Sequence, residues 1–162
     1  METIMEMLIR DHKVFRNIFQ DVEETIKSMN LEPKSSEEKF ELLKNIVIIA
    51  YKLSEFAGRT DKHRQIEEIT VYRELESLGY KDEAVMLREQ HVEIMKEIKN
   101  MNSIIEGYRK GMKPIEEIAN SLVKIFHKIK PMYVKHMDDE ERFFSKYFEL
   151  KRETVQKRDY VN

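Results

Sequence analysis

The chain contains no cysteine. That absence excludes disulfides, thiolate metal ligands, iron–sulfur clusters and thiol nucleophiles, so any bound metal must be held by nitrogen and oxygen donors. Only four glycines and three prolines interrupt 162 residues, and helix formers dominate while strand-like alternation is scarce. The expected fold class is therefore all-α. No apolar run is long: Ile46 to Tyr51 is the longest and cannot span a bilayer. The N-terminus lacks the basic flank and apolar core of a secretory leader. Charge is not one-sided either, with 29 basic residues against 31 acidic ones, so nothing marks a nucleic-acid or anionic-membrane partner. One cytoplasmic domain with a sizeable core is expected at this length.

Apolar residues recur at steps of three and four in four segments. The first carries Ile4, Leu8, His12, Phe15, Phe19, Val22, Ile26 and Met29, and Leu31 to Ser36 with Pro33 turns the chain. The second, opened near Ser36, carries Phe40, Leu43, Val47, Ala50 and Leu53, then His63, Ile66, Glu67, Thr70, Val71, Leu75 and Leu78. Unbroken, it would be about 60 Å long. A break is expected at Ala57 to Asp61, because Gly58 weakens a helix interior and Thr60 or Asp61 could cap a restart. Gly79 ends the segment. The third, with Asp82 as a cap, runs through Ala84, Leu87, His91, Ile94, Ile98, Met101, Ile105 and Tyr108. Gly111 and Pro114 turn the chain into the fourth: Ile115, Ile118, Leu122, Ile125, Ile129, Met132, His136, Glu140, Phe143 and Tyr147, with a bend expected at Pro131. Residues 151–162 read as a polar tail that frays. Short connections favour an up-down-up-down antiparallel four-helix bundle.

One histidine stands on the apolar stripe of each segment: His12, His63, His91 and His136. His63 and His136 each begin an H-x-x-x-E step, to Glu67 and Glu140, which places imidazole and carboxylate on one helix face a turn apart. His12, His91 and His136 agree in depth along their helices; His63 reaches that level only if the second segment is broken. Six desolvated polar groups would be costly without a cation among them. His127 falls on the opposite face and is expected at the surface. Glu68 and Glu141 are rotated about 100° from their neighbours, toward solvent or toward the back of the site. Gln90 could bond near the metal, but facing a neighbouring helix is the favoured reading. Phe15, Leu87, Ile94, Met95, Met132 and Phe143 could wall a small apolar pocket; Tyr51, Tyr72 and Tyr133 could be hydrogen-bond partners or redox-active neighbours of the site, with packing and a boundary hydroxyl as the favoured reading.

The blocks H-R-Q-I-E-E (His63 to Glu68), Gln90-His91 and H-M-D-D-E-E (His136 to Glu141) resemble the hemerythrin-like HHE cation-binding family over about residues 1–150. That resemblance implies a four-helix bundle holding two non-haem iron ions in an oxo- or hydroxo-bridged di-iron centre, with Mn or Zn ranked behind iron. It further implies that His12 and His63 ligate one iron, His91 and His136 the other, and that Glu67 and Glu140 bridge them. The chain departs from the oxygen carriers of the family in having Met95 where they have a further histidine. Its Glu140 lies four residues after His136 where theirs lies five, leaving Glu141 as an alternative bridge. The repair-of-iron-centres relatives carry a cysteine-bearing N-terminal region that this sequence lacks, and Gln90 replaces the acid that some relatives have before the third histidine.

The leading functional expectation is a non-enzymatic di-iron protein that binds or senses O₂ or NO, or holds iron for transfer. Such a protein leaves room for a redox or signalling protein partner. A di-iron oxidoreductase reducing O₂, peroxide or NO is the second expectation, and a metal-free helical interaction module the third.

Overall fold

The computed structural model describes the backbone of residues 3–159 and the side chains of residues 3–147. Its helices are α1 (Ile4–Ser28), α2 (Ser36–Ile69), the short α3 (Val71–Ser77), α4 (Lys81–Arg109) and α5 (Ile115–Asp159). The four long helices form the up-down-up-down bundle, with α1 against α2 and α5, and α4 against α5 and α2. Local sequence sets the starts. Thr3 and Glu6 form a reciprocal capping box on α1, and Ser35 accepts from the Glu38 amide at the start of α2. Asp82 lies in the first turn of α4 instead of capping it. Gly79 (φ 93°) and Gly111 (φ 61°) close the ends of α3 and α4 in the left-handed region that glycine adopts without strain.

The expected break at Gly58 does not occur. The buried positions of α2 are Leu42, Ile46, Ile49, Ala50, Leu53, Phe56, Thr60, His63 and Glu67. Apart from Ala50 these follow one seven-residue seam that runs straight through the glycine, as coiled-coil packing requires. The correction extends to the inward face, because Phe40 and Val47 are exposed and Leu42 and Ile46 replace them. Ile46 to Ile49 is apolar all round, so periodicity there could not tell one face from another. His63 still reaches the level of the other histidines because α2 begins further from its histidine than α5 does and runs past the end of α1, where Met29, leaving α1 with extended backbone, and Leu31 pack on the core. The real interruption is at Thr70 (ψ −75°), whose hydroxyl bonds the Ile66 carbonyl at 2.6 Å. At Gly58 a Cβ would meet nothing within 4 Å. Gly58→Ala is therefore expected to stabilise the fold by about 0.5–1 kcal/mol, read as a raised denaturant midpoint at unchanged slope.

α4 buries its stripe as expected, and α5 continues through Pro131. The stretch expected to fray extends α5 as helical backbone to Asp159; residues 160–162 lie outside the described residues. Two apolar clusters fill the bundle. One contains Phe15, Phe56, Ile94 and Tyr133; the other contains Leu8, Val71, Leu87 and Phe143. On every long helix the site histidine stands between a residue of one cluster and a residue of the other. A polar layer thus lies inside an otherwise apolar bundle, and α3 closes one side of it through buried Val71, Tyr72 and Leu75.

Candidate metal centre

All six residues singled out from sequence meet in that layer. His12, His63, His91 and His136 are each at most 3% exposed, and Glu67 and Glu140 are wholly buried. Each helix contributes through the same seam that packs the core, so aromatic neighbours fix the rings. The Phe15 ring meets His63 edge-on at 5.3 Å, Phe144 stacks on His12 at 6.3 Å, and Tyr72 stacks on His91 at 5.4 Å. His127 is exposed, as expected.

The donor atoms form two groups, His12, His63, Glu67 and Glu140, and Glu67, His91, His136 and Glu140; in each, the atoms lie within 4.8 Å of one another. Both carboxylates belong to both groups, one oxygen toward each. Glu67 Oε1 is 2.8 Å from His63 Nε2 while its Oε2 is 3.3 Å from His91 Nε2. Glu140 Oε2 is 3.2 Å from His12 Nε2 while its Oε1 is 3.3 Å from His136 Nε2. Proximity does not make these hydrogen bonds. Among the described residues, the buried side-chain atoms without a hydrogen-bond partner are, apart from Arg64 Nε, all here: Nε2 of His12, His63 and His136, both Glu67 oxygens and Glu140 Oε2. Orphaned buried atoms of this kind cost about 1–3 kcal/mol each, and a cation shared among them removes that cost.

The opposite ring nitrogens are all engaged. His12 Nδ1 lies 3.0 Å from Glu141, His63 Nδ1 3.2 Å from Asp11, His91 Nδ1 3.0 Å from Glu68, and His136 Nδ1 2.8 Å from the Gln90 carbonyl oxygen. Acceptors at Nδ1 hold a proton there, so that each inward Nε2, once free of any proton of its own, presents a lone pair to a cation. Glu141 is thus outside the cluster and Glu140 inside it. Gln90, for which facing a neighbouring helix was the favoured reading, bonds His136 and also donates to Asp139 at 2.8 Å.

Without a cation the charges are strained. Burial works against a charged His12, but Glu140 and Glu67 outweigh it and raise this histidine to about 10. The same balance, with Glu67 dominant, raises His63. Burial, reinforced by the neighbouring charge of His91, lowers His136 to about 3. Glu140 is pushed up to about 7 by burial and by the charge of Glu67. Burial opposes ionisation of Glu67 as well, yet the attraction of His12, His63 and His91 keeps it well below the ordinary range. Two carboxylates facing four imidazoles in a dry layer can be satisfied by protons only unevenly, whereas multivalent cations suit every donor at once.

The family model for the hemerythrin HHE cation-binding domain matches residues 3–148. The chain belongs to that family. No match was found among curated proteins or among solved structures. As a hemerythrin HHE domain it is a cation-binding bundle, and its buried His/Glu cluster is the group that could hold metal. Among the described residues no helix is long and apolar enough to cross a membrane.

Sequence reasoning missed some of the parts. Asp11 was not singled out, although it immediately precedes His12 as Gln90 precedes His91, and each supports the histidine of the following long helix. Packing was the favoured reading of Tyr72, yet its hydroxyl donates to Glu140 Oε1 and lies 3.3 Å from His91 Nε2. Tyr133 is also fully buried, and the Thr60 hydroxyl donates to its oxygen at 3.4 Å; Tyr51 is exposed. Met95 packs against the core and is absent from both donor groups.

Proposed function

We propose that this HHE domain is a non-haem di-iron protein that binds or senses O₂ or NO, or holds iron for transfer. The observation that carries the reading is the pair of donor groups sharing Glu67 and Glu140, with their inward atoms left without protein partners. His12 and His63 would hold one iron, His91 and His136 the other, and the two glutamates both. Two imidazoles and two carboxylate oxygens per cation are fewer donors than an octahedral iron takes, so positions stay open to a small ligand. Held there, an iron pair would supply reversible redox chemistry toward a diatomic ligand. The protein's part is to fix the tautomers through Asp11, Glu68, Gln90 and Glu141. Phe15, Phe144 and Tyr72, packed on the histidine rings, keep water from the layer, which preserves the strength of its electrostatics. Imidazole and carboxylate donors also accept Mn or Zn; the family resemblance favours iron.

A di-iron oxidoreductase acting on O₂, peroxide or NO is the second reading. Tyr72 favours it, because a phenol O–H aimed at the cluster is a proton source. The metal-free module is disfavoured by the same orphaned atoms. Adding O₂, NO or azide, each separately, to iron-loaded protein reduced under anaerobic conditions separates these. New absorption bands that reverse on removal of the ligand support binding; sustained consumption of ligand with excess reductant supports the enzyme. Retention of both irons with no spectral response to any of the three would contradict ligand binding and turnover alike and leave iron holding as the reading.

A further inference from the structure

The contacts around the cluster repeat with approximate two-fold symmetry, α1 and α2 corresponding to α4 and α5. Glu141 backs His12 and Glu68 backs His91, and each of these carboxylates is also held by an arginine, Arg16 at 3.2 Å and Arg64 at 3.1 Å. The two carboxylates correspond, although their arginines do not: Arg16 reaches Glu141 from α1, whereas Arg64 shares α2 with Glu68. At two other positions the symmetry fails. Where the carboxylate of Asp11 backs His63, the neutral amide of Gln90 backs His136. Where Phe144 stacks on His12, Tyr72 stacks on His91 and donates its hydroxyl proton to Glu140 Oε1, the oxygen that faces His136.

Both differences weaken the same half. A carboxylate behind an imidazole raises its basicity more than an amide does, and a hydrogen bond to a carboxylate oxygen draws away density that a cation would use. The Glu140 oxygen facing His12 carries no such bond. The weakened half is also approached from solvent: a groove of about 370 Å³ between α4 and α5, lined by Glu89, Glu93, Met132 and Lys135 among others, has Gln90 in its lining, directly behind His136.

We propose that the two halves hold cations unequally: the His12–His63 half tightly, and the His91–His136 half exchangeably through the Gln90 groove. This rests on the reading of the cluster as a two-cation site and names which cation is given up first. A chain short of metal then keeps one cation in place while the other comes and goes.

Titration of the metal-free full chain with Co(II), followed by calorimetry and visible absorption, tests the proposal. Two steps at least about 10-fold apart are expected, the range in which partners behind metal ligands act. Gln90→Glu, combined with Asp139→Asn so that the 2.8 Å contact between the two side chains stays a hydrogen bond, should tighten the weaker step about 10-fold relative to Asp139→Asn alone, and Tyr72→Phe should tighten the same step, whereas Asp11→Asn should loosen the tighter one. Glu68→Gln should loosen the weaker step further and widen the gap. These are near-isosteric changes with opposite expected signs, so a general loss of structure cannot imitate the pattern; helical content by circular dichroism checks each variant. Two equal steps, a weaker step unmoved by Gln90→Glu in the Asp139→Asn background, or one loosened by Tyr72→Phe because the phenol oxygen is itself a donor, would each overturn the inference while leaving the two-cation site intact. No Co(II) uptake by any variant would overturn both.

Discussion

Glu67→Gln and Glu140→Gln should each empty both halves of the cluster, not one. Either change keeps the side-chain volume but removes a carboxylate whose two oxygens face different groups. Substitution of residues behind metal ligands costs about 10–100-fold in affinity, so loss of a shared inner carboxylate is expected to exceed about 100-fold at both positions. His91→Ala and His136→Ala should act differently, stripping one position and sparing the cation at His12 and His63. The contrast is read as metal per chain after gel filtration through metal-free buffer. If the glutamine variants retained one cation firmly, the shared role of these carboxylates would be wrong.

Removing the metal should cost more stability than any surface substitution. At free cation a thousandfold above its dissociation constant, each site adds about 4 kcal/mol to the folded state. For two sites in a chain of this length the midpoint should fall by roughly 15 °C or more on stripping, at about 2–4 °C per kcal/mol. The sign of the pH dependence should also reverse. In the stripped chain His12, raised to about 10, and His63, raised as well, keep protons that the unfolded chain loses near 6.5. Their contribution is fully present below about 6.5 and is lost as pH rises, that of His12 as pH approaches 10. In the loaded chain those nitrogens carry cations, and protons compete with them, so stability is lost as pH falls. Thermal melts of both forms at pH 7 and pH 9 should therefore show a wider gap at pH 9. A stripped form that grows more stable over that interval would contradict the charge balance described for the layer.

The gathering of six polar side chains in one layer was legible because each leaves a local mark. A histidine on an apolar stripe is visible in one helix, and the four-residue step to an inward glutamate follows from helix geometry alone. The bundle was legible from length, short turns and four stripes. What escaped depends on neighbours. The inward face of α2 was misread because Ile46 to Ile49 offers apolar residues in every direction, and tertiary packing chose Leu42 and Ile46 over Phe40 and Val47. Gly58 was given a break because a lone glycine weakens a helix, yet a continuous buried seam on both sides outweighs about 1 kcal/mol of propensity. Asp11 and Gln90 project from one helix to a histidine on another, a contact that no single-segment periodicity encodes. Tyr72 reaches the layer only because the chain kinks at Thr70, a position where threonine's hydroxyl competes for a backbone carbonyl and the sequence offers no glycine or proline as a warning.

The most direct test is elemental analysis of freshly purified protein, repeated after anaerobic reconstitution with Fe(II). About two irons per chain are expected, with loss of both in Glu67→Gln. Stoichiometric zinc that iron cannot replace, or no bound metal after reconstitution, would contradict the central reading of the cluster as a di-iron site.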